Sequence, residues 1–340
     1  MQQSYFRKIA LIATALALFV VVLGAYVRLS DAGLGCPDWP GCYGHITVPE
    51  ASHHVDKANA AYPERPVEAA KAWKEMVHRY FASTLGLLIV ILAVLAVLAW
   101  RSKRISNQQV KLPIFLVAFV IFQGLLGMWT VTIKLNPTIV MMHLIGGMTT
   151  LSLLWWMSLR QSKMFLPRSS YPTQLKPFTG LAVIGLIIVT FQIILGGWTS
   201  SNYAALVCAD FPTCQGSLIP PTDFGEAFNL WRGTEINFEG GVLDNTARMT
   251  IHFVHRVGAL ITFLFVGWLS LKLMFGTDVN KLQSLGRLLL FVLIAQVSLG
   301  IINVVYSLPL YIAVAHNGVG ALLLLTMVTL NHTVRPPSQI

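Results

Sequence analysis

Long apolar segments alternate with short polar ones along the whole chain. Eight of them reach the length of about 20 residues that a helix needs to cross the hydrocarbon core of a bilayer. They lie at roughly 8–28, 74–100, 113–133, 139–159, 178–199, 247–274, 288–306 and 310–331. The first stays uncharged from Ile9 to Val27, which is longer than the apolar region of a cleaved signal peptide. We therefore predict an all-α, polytopic membrane protein whose first helix is retained.

The composition agrees with a chain that is solvated largely by membrane lipid. Only 11% of the 340 residues are charged, whereas a soluble domain carries about 25%. The net charge of +10 could indicate a nucleic-acid partner. However, the basic residues are scattered through short loops and form no stripe interleaved with aromatic residues. We expect lipid contact and no nucleic-acid binding.

The basic residues are concentrated on one side of the predicted membrane. The two termini and the segments 101–111, 160–176 and 272–287 together hold fourteen Lys and Arg residues and a single acid, Asp278. The positive-inside rule places these segments in the cytoplasm. The absence of an Arg- and Ser-rich transit segment before the first apolar segment favours a bacterial protein. We therefore expect the inner (cytoplasmic) membrane of a bacterial cell, with both termini cytoplasmic.

The chain contains an internal repeat. Cys36-Pro-Asp-Trp-Pro-Gly-Cys42 recurs 172 residues later as Cys208-Ala-Asp-Phe-Pro-Thr-Cys214. Two further matches are Val77-His78-Arg79 with Val254-His255-Arg256, and Gln123, Gly127 and His143 with Gln296, Gly300 and His316. Each repeat holds four apolar segments, an even number, so both should enter the membrane in the same direction. We predict two four-helix halves, 1–165 and 166–340, related by a pseudo-two-fold axis along the membrane normal.

Four histidines lie one to two helical turns inside segments that run from the outer to the inner side: His78, His143, His255 and His316. At a rise of about 1.5 Å per residue, they should share one depth near the outer face. The two in each half come from different parallel helices and can bracket a flat macrocycle with two axial imidazoles. The alternative is that each bonds only to a neighbouring helix. Zinc or copper is less favoured, because neither pair has nearby thiolates or paired carboxylates. We predict one haem in each half.

The two halves differ three residues before the first histidine of each pair. Glu75 stands there in the N-terminal half and His252 in the C-terminal half. This spacing places each side chain on the same helix face as the histidine. A carboxylate near a haem edge can accept a proton or stabilise a developing cation. The N-terminal half is therefore the better candidate for chemistry, with Glu75 as its catalytic residue. The alternative is an ion pair in the headgroup region with Lys71 or Lys74.

An arginine directly follows the first histidine of each pair. These residues are Arg79 and Arg256. Each could bind a haem propionate at the outer face through charge-assisted hydrogen bonds. The alternative is that each extends its guanidinium to the membrane interface.

All four cysteines lie in predicted outer loops, and five residues separate the members of each pair. Their even number, location and spacing indicate two disulfides within loops, Cys36–Cys42 and Cys208–Cys214, in an oxidising compartment. We favour a structural role. The alternative is disulfide exchange with a partner's thiols, because both loops overhang the level of the histidines. The first of these loops also carries three histidines that we expect to be solvated: His45, His53 and His54.

Over essentially the whole chain, these features resemble those of the haem A synthase (CtaA/Cox15) family. Glu75-Met-Val-His78-Arg79 is similar to that family's helix-two motif, and Arg28-Leu-Ser-Asp31-Ala-Gly-Leu-Gly-Cys36 is similar to its first outer loop. The duplicated four-helix unit, the histidine pairs and the loop cysteines also match. Some family members lack one or both cysteine pairs, so the cysteines alone do not define a catalytic role.

The resemblance implies an activity and a set of ligands. Enzymes of this family oxidise a methyl substituent of haem O to the formyl group of haem A by successive hydroxylations and loss of water. It implies that His255 and His316 are the axial ligands of a haem b iron. It also implies that His78 and His143 bind the substrate haem and that Glu75 contributes to catalysis. The implied partners are haem O synthase, terminal-oxidase assembly proteins and an unidentified electron acceptor. A homo-oligomer is compatible with the sequence.

Two other classes of protein compete with this interpretation. A di-haem b electron-transfer cytochrome would use the same histidines without altering a haem. Transfer across the bilayer requires haems at different depths, whereas the four histidines are predicted at one level. A solute carrier with parallel repeats would have helices broken near the membrane midplane, and the apolar segments here are mostly uninterrupted.

Overall fold

The computed structural model describes residues 2–103, 107–161 and 172–335. Within these ranges the chain forms ten helices. In chain order they are α1 (Gln2–Leu29), α2 (Ser52–Ala61), α3 (Ala69–Arg101), α4 (Asn107–Thr132), α5 (Pro137–Arg160), α6 (Pro172–Ser201), α7 (Phe224–Ala227), α8 (Asn245–Phe275), α9 (Asn280–Val305) and α10 (Leu310–Val334). The same ranges contain isolated β-bridges but no β-strand. The predicted all-α class is confirmed.

In the described part of the chain, eight helices are long and apolar enough to cross a membrane, and each corresponds to one predicted segment. The helices are longer than the apolar segments. For example, α3 begins at Ala69 rather than at 74, and α9 begins at Asn280 rather than at 288. Polar residues at a helix end can stay in the aqueous interface. The apolar pattern therefore reports the part of each helix that lies in lipid.

The helices pack as two compact units. The first consists of Met1–Thr150 with Asn229–Val242, and the second of Leu151–Phe228 with Leu243–Ile340. In the second unit the four long helices form a ring in chain order, since α6 packs on α8, α8 on α9, α9 on α10, and α10 on α6. The predicted halves, 1–165 and 166–340, and the pseudo-two-fold axis between them remain predictions.

The first unit has the same order of neighbours. Here α1 packs on α3, and α3 packs on α4. The ring closes through α5, because Gly127 of α4 lies against His143, and Gly147 of α5 lies against Val21 of α1. Within each unit, all four long helices therefore contribute to one bundle, and side chains from neighbouring helices meet inside it.

The segment 229–242 belongs to the first unit, although it lies between α7 and α8 in the chain. Phe238 is buried there against Leu34, Val131 and Leu135, and the backbone amide of Phe238 donates to the carbonyl of Lys134 at 3.0 Å. Nothing in the hydrophobic pattern distinguished this segment from the rest of its long polar loop. The short helices α2 and α7 were likewise not predicted.

Candidate functional site

The four predicted histidines are distributed as two pairs, one in each unit. His78 of α3 and His143 of α5 lie in the first unit, and His255 of α8 and His316 of α10 lie in the second. In each pair, one ring is close enough to the other to affect it electrostatically. Each predicted axial pair thus lies within a single unit.

Each imidazole packs against a glycine of a neighbouring helix. A Cβ atom built on any of these four glycines would lie 3.0 to 3.2 Å from a ring carbon. The pairs are Gly24 with His78, Gly127 with His143, Gly196 with His255, and Gly300 with His316. Carbon atoms in favourable contact are about 3.5–4.0 Å apart. Any side chain at these positions would therefore displace the ring, and the glycines define where each histidine can lie.

A glutamine amide also lies beside three of the histidines. In each case its Nε2 is 3.1 or 3.2 Å from a ring nitrogen. The pairs are Gln123 with His143, Gln192 with His255, and Gln296 with His316. Each glutamine precedes the contacting glycine by four residues, so the two lie on one helix face. Gln123 and Gln296 are part of the internal repeat, but this role was not predicted for them, and Gln192 was not predicted at all. The recurring Gln-x-x-x-Gly spacing was the available signal.

Glu75 is buried in the first unit, with only 5% of its surface exposed. Its Oε1 lies 2.5 Å from Nη2 of Arg79, and its Oε2 accepts the backbone N–H of Cys36 at 2.9 Å. A buried carboxylate with a cation and an amide donor is a stable arrangement, because its charge is neutralised and its oxygens are hydrogen-bonded.

The predicted alternative partners of Glu75 are engaged elsewhere. Lys71 pairs with Glu68 at 2.9 Å, and the Lys74 ammonium lies 5.3 Å from the centroid of the Tyr26 ring. The alternative interpretation, an ion pair of Glu75 with either lysine, is therefore not what the structure has. The i, i+4 spacing of Glu75 and Arg79 on α3 allowed the observed pair.

Both predicted propionate-binding arginines hold a cysteine loop. Arg79 donates to the carbonyl of Asp38 at 3.0 Å and to that of Gly41. Arg256 donates to the carbonyls of Thr213 at 2.7 Å and Cys208 at 2.9 Å. Each guanidinium thus ties the loop to the helix that carries the first histidine of its pair. Propionate binding by these arginines remains a prediction.

Both predicted disulfides, Cys36–Cys42 and Cys208–Cys214, are formed. None of these cysteines is more than 3% exposed. A partner's thiol would therefore reach the sulfurs only after the loop moved, which favours the structural role.

An aspartate organises each cysteine loop. Asp38 accepts the backbone N–H groups of Tyr43 at 2.6 Å and Gly44 at 2.7 Å. Asp210 accepts those of Gln215 at 2.7 Å and Gly216 at 2.9 Å. The hydroxyl of Thr213 and the Gly216 amide, which donate to Asp210, hold the pKa of this carboxyl well below its usual range. The aspartate that recurs in the repeat therefore fixes the backbone of each cysteine loop, a role that was not predicted from the sequence.

The remaining histidines have other surroundings. His252, at the position of Glu75, is buried in the second unit. In the first loop, the rings of His53 and His54 are 4.1 Å apart, and those of His45 and His54 are 4.7 Å apart, measured between centroids. Across the described ranges, no group of three or more His, Cys, Asp or Glu residues is placed to hold a metal ion.

Comparison with known proteins identifies the family. The COX15-CtaA family, described as cytochrome oxidase assembly protein, matches residues 7–328. The chain belongs to this family. It is similar to the heme A synthase of Shewanella oneidensis, with 48% identity over 98% of this chain and 96% of the relative. At lower identity, the chain is also similar to the heme A synthases of Allorhizobium ampelinum (29% identity, 91% of this chain and 85% of the relative) and Halalkalibacterium halodurans (25% identity, 92% of each chain).

Proposed function

We propose that this chain is a haem A synthase, which oxidises a methyl group of haem O to the formyl group of haem A by successive hydroxylations in the membrane. The observation that supports this proposal most directly is an imidazole pair in each unit together with one buried carboxylate, Glu75, on the helix of His78; the described residues of the second unit contain no buried carboxylate. The similarity to the Shewanella oneidensis heme A synthase along nearly the whole chain supports the same function.

The residues present suit a haem in each unit. Two imidazoles from different helices are the donor set of a six-coordinate haem iron. On His143 and His255 the glutamine contacts Nδ1, which leaves Nε2 for iron. The glycines beneath the rings allow the imidazoles to lie against the neighbouring helix. This fit supports haem ligation and gives no support to a compact metal-ion site.

The two pairs serve different purposes in this proposal. His255 and His316 are the ligands of a resident haem b, which supplies one-electron chemistry when bound. His78 and His143 hold the substrate haem O. The assignment follows from Glu75, since the carboxylate lies on the helix of His78, whereas the corresponding position in the second unit is His252.

Glu75 acts as the catalytic carboxylate in this proposal. Arg79 and the Cys36 amide keep its oxygens in place without water, so the charge is preorganised before the substrate enters. From there the carboxylate accepts a proton or stabilises positive charge that develops on the substrate.

The proposed setting is the inner membrane of a bacterial cell. Eight candidate membrane-spanning helices and the positive-inside rule support a multi-pass protein with both termini cytoplasmic and the histidines near the outer face. Haem O synthase, terminal-oxidase assembly proteins and an electron acceptor are the proposed partners.

Co-expression with a haem O source tests this function. The wild type should yield haem A, detected by mass analysis of extracted haem. Glu75→Gln should lower the yield by about 100-fold or more if the carboxylate transfers a proton, with haem O or a hydroxylated intermediate accumulating. Glu68→Gln, at the residue before α3, is the matched control, since its side chain is 63% exposed, and it should resemble the wild type. A wild type that carries only haem b and never yields haem A would instead favour a di-haem electron-transfer cytochrome.

A further inference from the structure

The surroundings of His78 differ from those of the other three paired histidines. The helix that packs on each of those three carries a glutamine four residues before the contacting glycine, at Gln123, Gln192 and Gln296. On α1, which packs on His78 through Gly24, the corresponding position is Val20. The helix that packs on His78 therefore has the contacting glycine, Gly24, but no glutamine four residues before it.

The imidazole of His78 consequently has an unpartnered nitrogen. Its Nδ1 is buried and has no hydrogen-bond partner. By contrast, the amide oxygen of Gln123 lies directly against Gly146, three residues after His143. The residue three positions after His78 is Phe81, which packs edge-to-face on Phe19 with centroids 4.9 Å apart. At His78, apolar side chains stand at both corresponding positions: Val20 where the other helices have the glutamine, and Phe81 where a glycine leaves space for the amide.

The same comparison holds in the second unit. The amide oxygen of Gln192 lies directly against Gly258, three residues after His255. His316 has a different arrangement, in which its Nδ1 lies 3.1 Å from the carbonyl oxygen of Gln296. Each of these rings therefore has a polar group of a neighbouring helix beside its Nδ1.

A partner at the second ring nitrogen strengthens an axial histidine. When iron binds one nitrogen, the other carries a proton, and an acceptor for that N–H fixes the ring and raises its basicity. In the structure the amide nitrogens of Gln123 and Gln192 face Nδ1 and also donate to the backbone carbonyl of the same histidine, while both amide oxygens are buried without a partner. When iron binds Nε2 and Nδ1 carries the proton, rotation of the amide presents this oxygen to Nδ1–H and gives up the bond to the carbonyl. In an apolar pocket, the N–H of His78 would remain unsatisfied, which is unfavourable. Of the four imidazoles, that of His78 is therefore expected to form the weakest bond to iron.

We propose that His78 is the exchangeable axial ligand of this protein. Its bond to the iron forms after that of His143 when haem O enters the first unit, and it breaks before that of His143 when haem A leaves. Val20 and Phe81 are the positioning residues that keep this ligand weak. The inference rests on the proposed assignment of the substrate haem to His78 and His143.

Cyanide binding to the purified, oxidised full-length protein in detergent tests the proposal. Cyanide occupies an iron position only after an axial histidine has dissociated, and the change in the optical spectrum gives the rate. The wild type should contain one haem that reacts fast and one that reacts slowly. Val20→Gln combined with Phe81→Gly supplies the amide and the space for it. This variant should slow the fast phase by about tenfold or more, as expected for a partner of a ligand. Val20→Leu combined with Phe81→Gly is the matched control and should remain fast.

The reverse change tests the same idea on a site that already has the amide. Gln192→Leu should accelerate cyanide binding at the haem of the second unit by about tenfold. Equal rates for the two double variants, two slow haems in the wild type, or an unchanged rate in Gln192→Leu would each overturn the inference. The assay reads ligand exchange on whichever haem the pair holds. Failure to produce haem A would therefore refute the proposed function without altering this result, and unchanged cyanide rates in a protein that makes haem A would refute only the inference.

Discussion

Arg79→Met removes the cation that contacts buried Glu75, and the structure allows the consequence to be estimated. The two side chains are 13% and 6% exposed, and the interacting atoms are 2.5 Å apart. Removal of one partner of a buried ion pair costs about 3–5 kcal/mol, because the other charge is left without a partner. The Cys36 amide still donates to Glu75 at 2.9 Å. We therefore expect a total loss near the lower limit, at about 3 kcal/mol, which includes the loss of the Arg79 hydrogen bonds to the first cysteine loop.

The double variant separates this charge effect from the attachment of the loop. Glu75→Gln alone should cost about 1 kcal/mol, because Arg79 keeps its carbonyl acceptors at Asp38 and Gly41 and the introduced amide oxygen can still accept a weaker hydrogen bond from it. In Glu75→Gln/Arg79→Met no buried charge is left, and the main loss is that of the Arg79 hydrogen bonds to Asp38 and Gly41. At about 1 kcal/mol each, these amount to about 2 kcal/mol. Two single losses totalling about 4 kcal/mol thus predict a coupling energy of about 2 kcal/mol.

The assay is unfolding in mixed micelles by a sodium dodecyl sulfate titration, followed by tryptophan fluorescence. The second unit offers a matched control. Arg256 also donates to carbonyls of its cysteine loop, those of Thr213 and Cys208, but the position that corresponds to Glu75 is His252. His252→Gln and Arg256→Met should be additive within about 0.5 kcal/mol. Additivity of the Glu75 and Arg79 variants within the same margin would refute the reasoning, since it would mean that the carboxylate does not depend on the arginine.

Two further predictions concern the glycine contacts and the second loop. Gly127→Ala should displace the His143 ring, because the new Cβ would lie 3.2 Å from its Cε1, whereas Gly124→Ala on the same helix meets nothing within 4 Å. Only the former should weaken the low-spin optical signal of the haem in the first unit, and equal spectra would contradict the role of the glycine. The pKa of the Asp210 carboxyl is depressed in the folded protein by the hydroxyl of Thr213 and the Gly216 amide, which donate to it. Its ionised form should therefore stabilise the fold at neutral pH, and this contribution should be lost as the pH falls below about 3.9, the pKa of an aspartate in the unfolded chain. Asp210→Asn should reduce this acid-dependent fall in Tm, measured in detergent, and an identical pH profile would contradict it.

The sequence predicted the number and order of the membrane helices because each crossing requires a long apolar stretch. It placed several helix ends incorrectly for the same reason. Hydropathy marks the part of a helix in lipid, whereas backbone hydrogen bonding continues into the interface, as it does at Ala69 and Asn280. Pro113 and Pro177, near the predicted starts of their segments, lie inside α4 and α6. Each proline lies in the second turn of its helix and removes one backbone hydrogen bond to the residue four positions earlier. The helices therefore begin before the prolines, where the apolar pattern gives no signal.

The candidate site was predictable where the repeat supplied two copies of one pattern. The histidine pairs and the disulfides were identified in this way. The partner of Glu75 was not, since three basic residues lie within one helical turn of it, and only side-chain packing selects Arg79 over Lys71 and Lys74. The contribution of Phe238 to the first unit also depends on tertiary packing, because its loop has no periodic pattern.

Cys36 joins the first disulfide to the buried carboxylate, because it takes part in a contact with each. Its sulfur closes the first disulfide, and its amide donates to Glu75. Loop oxidation and carboxylate placement are therefore thermodynamically linked, and linkage is reciprocal. If disulfide closure stabilises the position of the Glu75 carboxylate by some free energy, the positioned carboxylate stabilises the closed disulfide by the same amount. Reduction of the first loop should loosen Glu75, and an occupant that draws Glu75 away should make the disulfide easier to reduce.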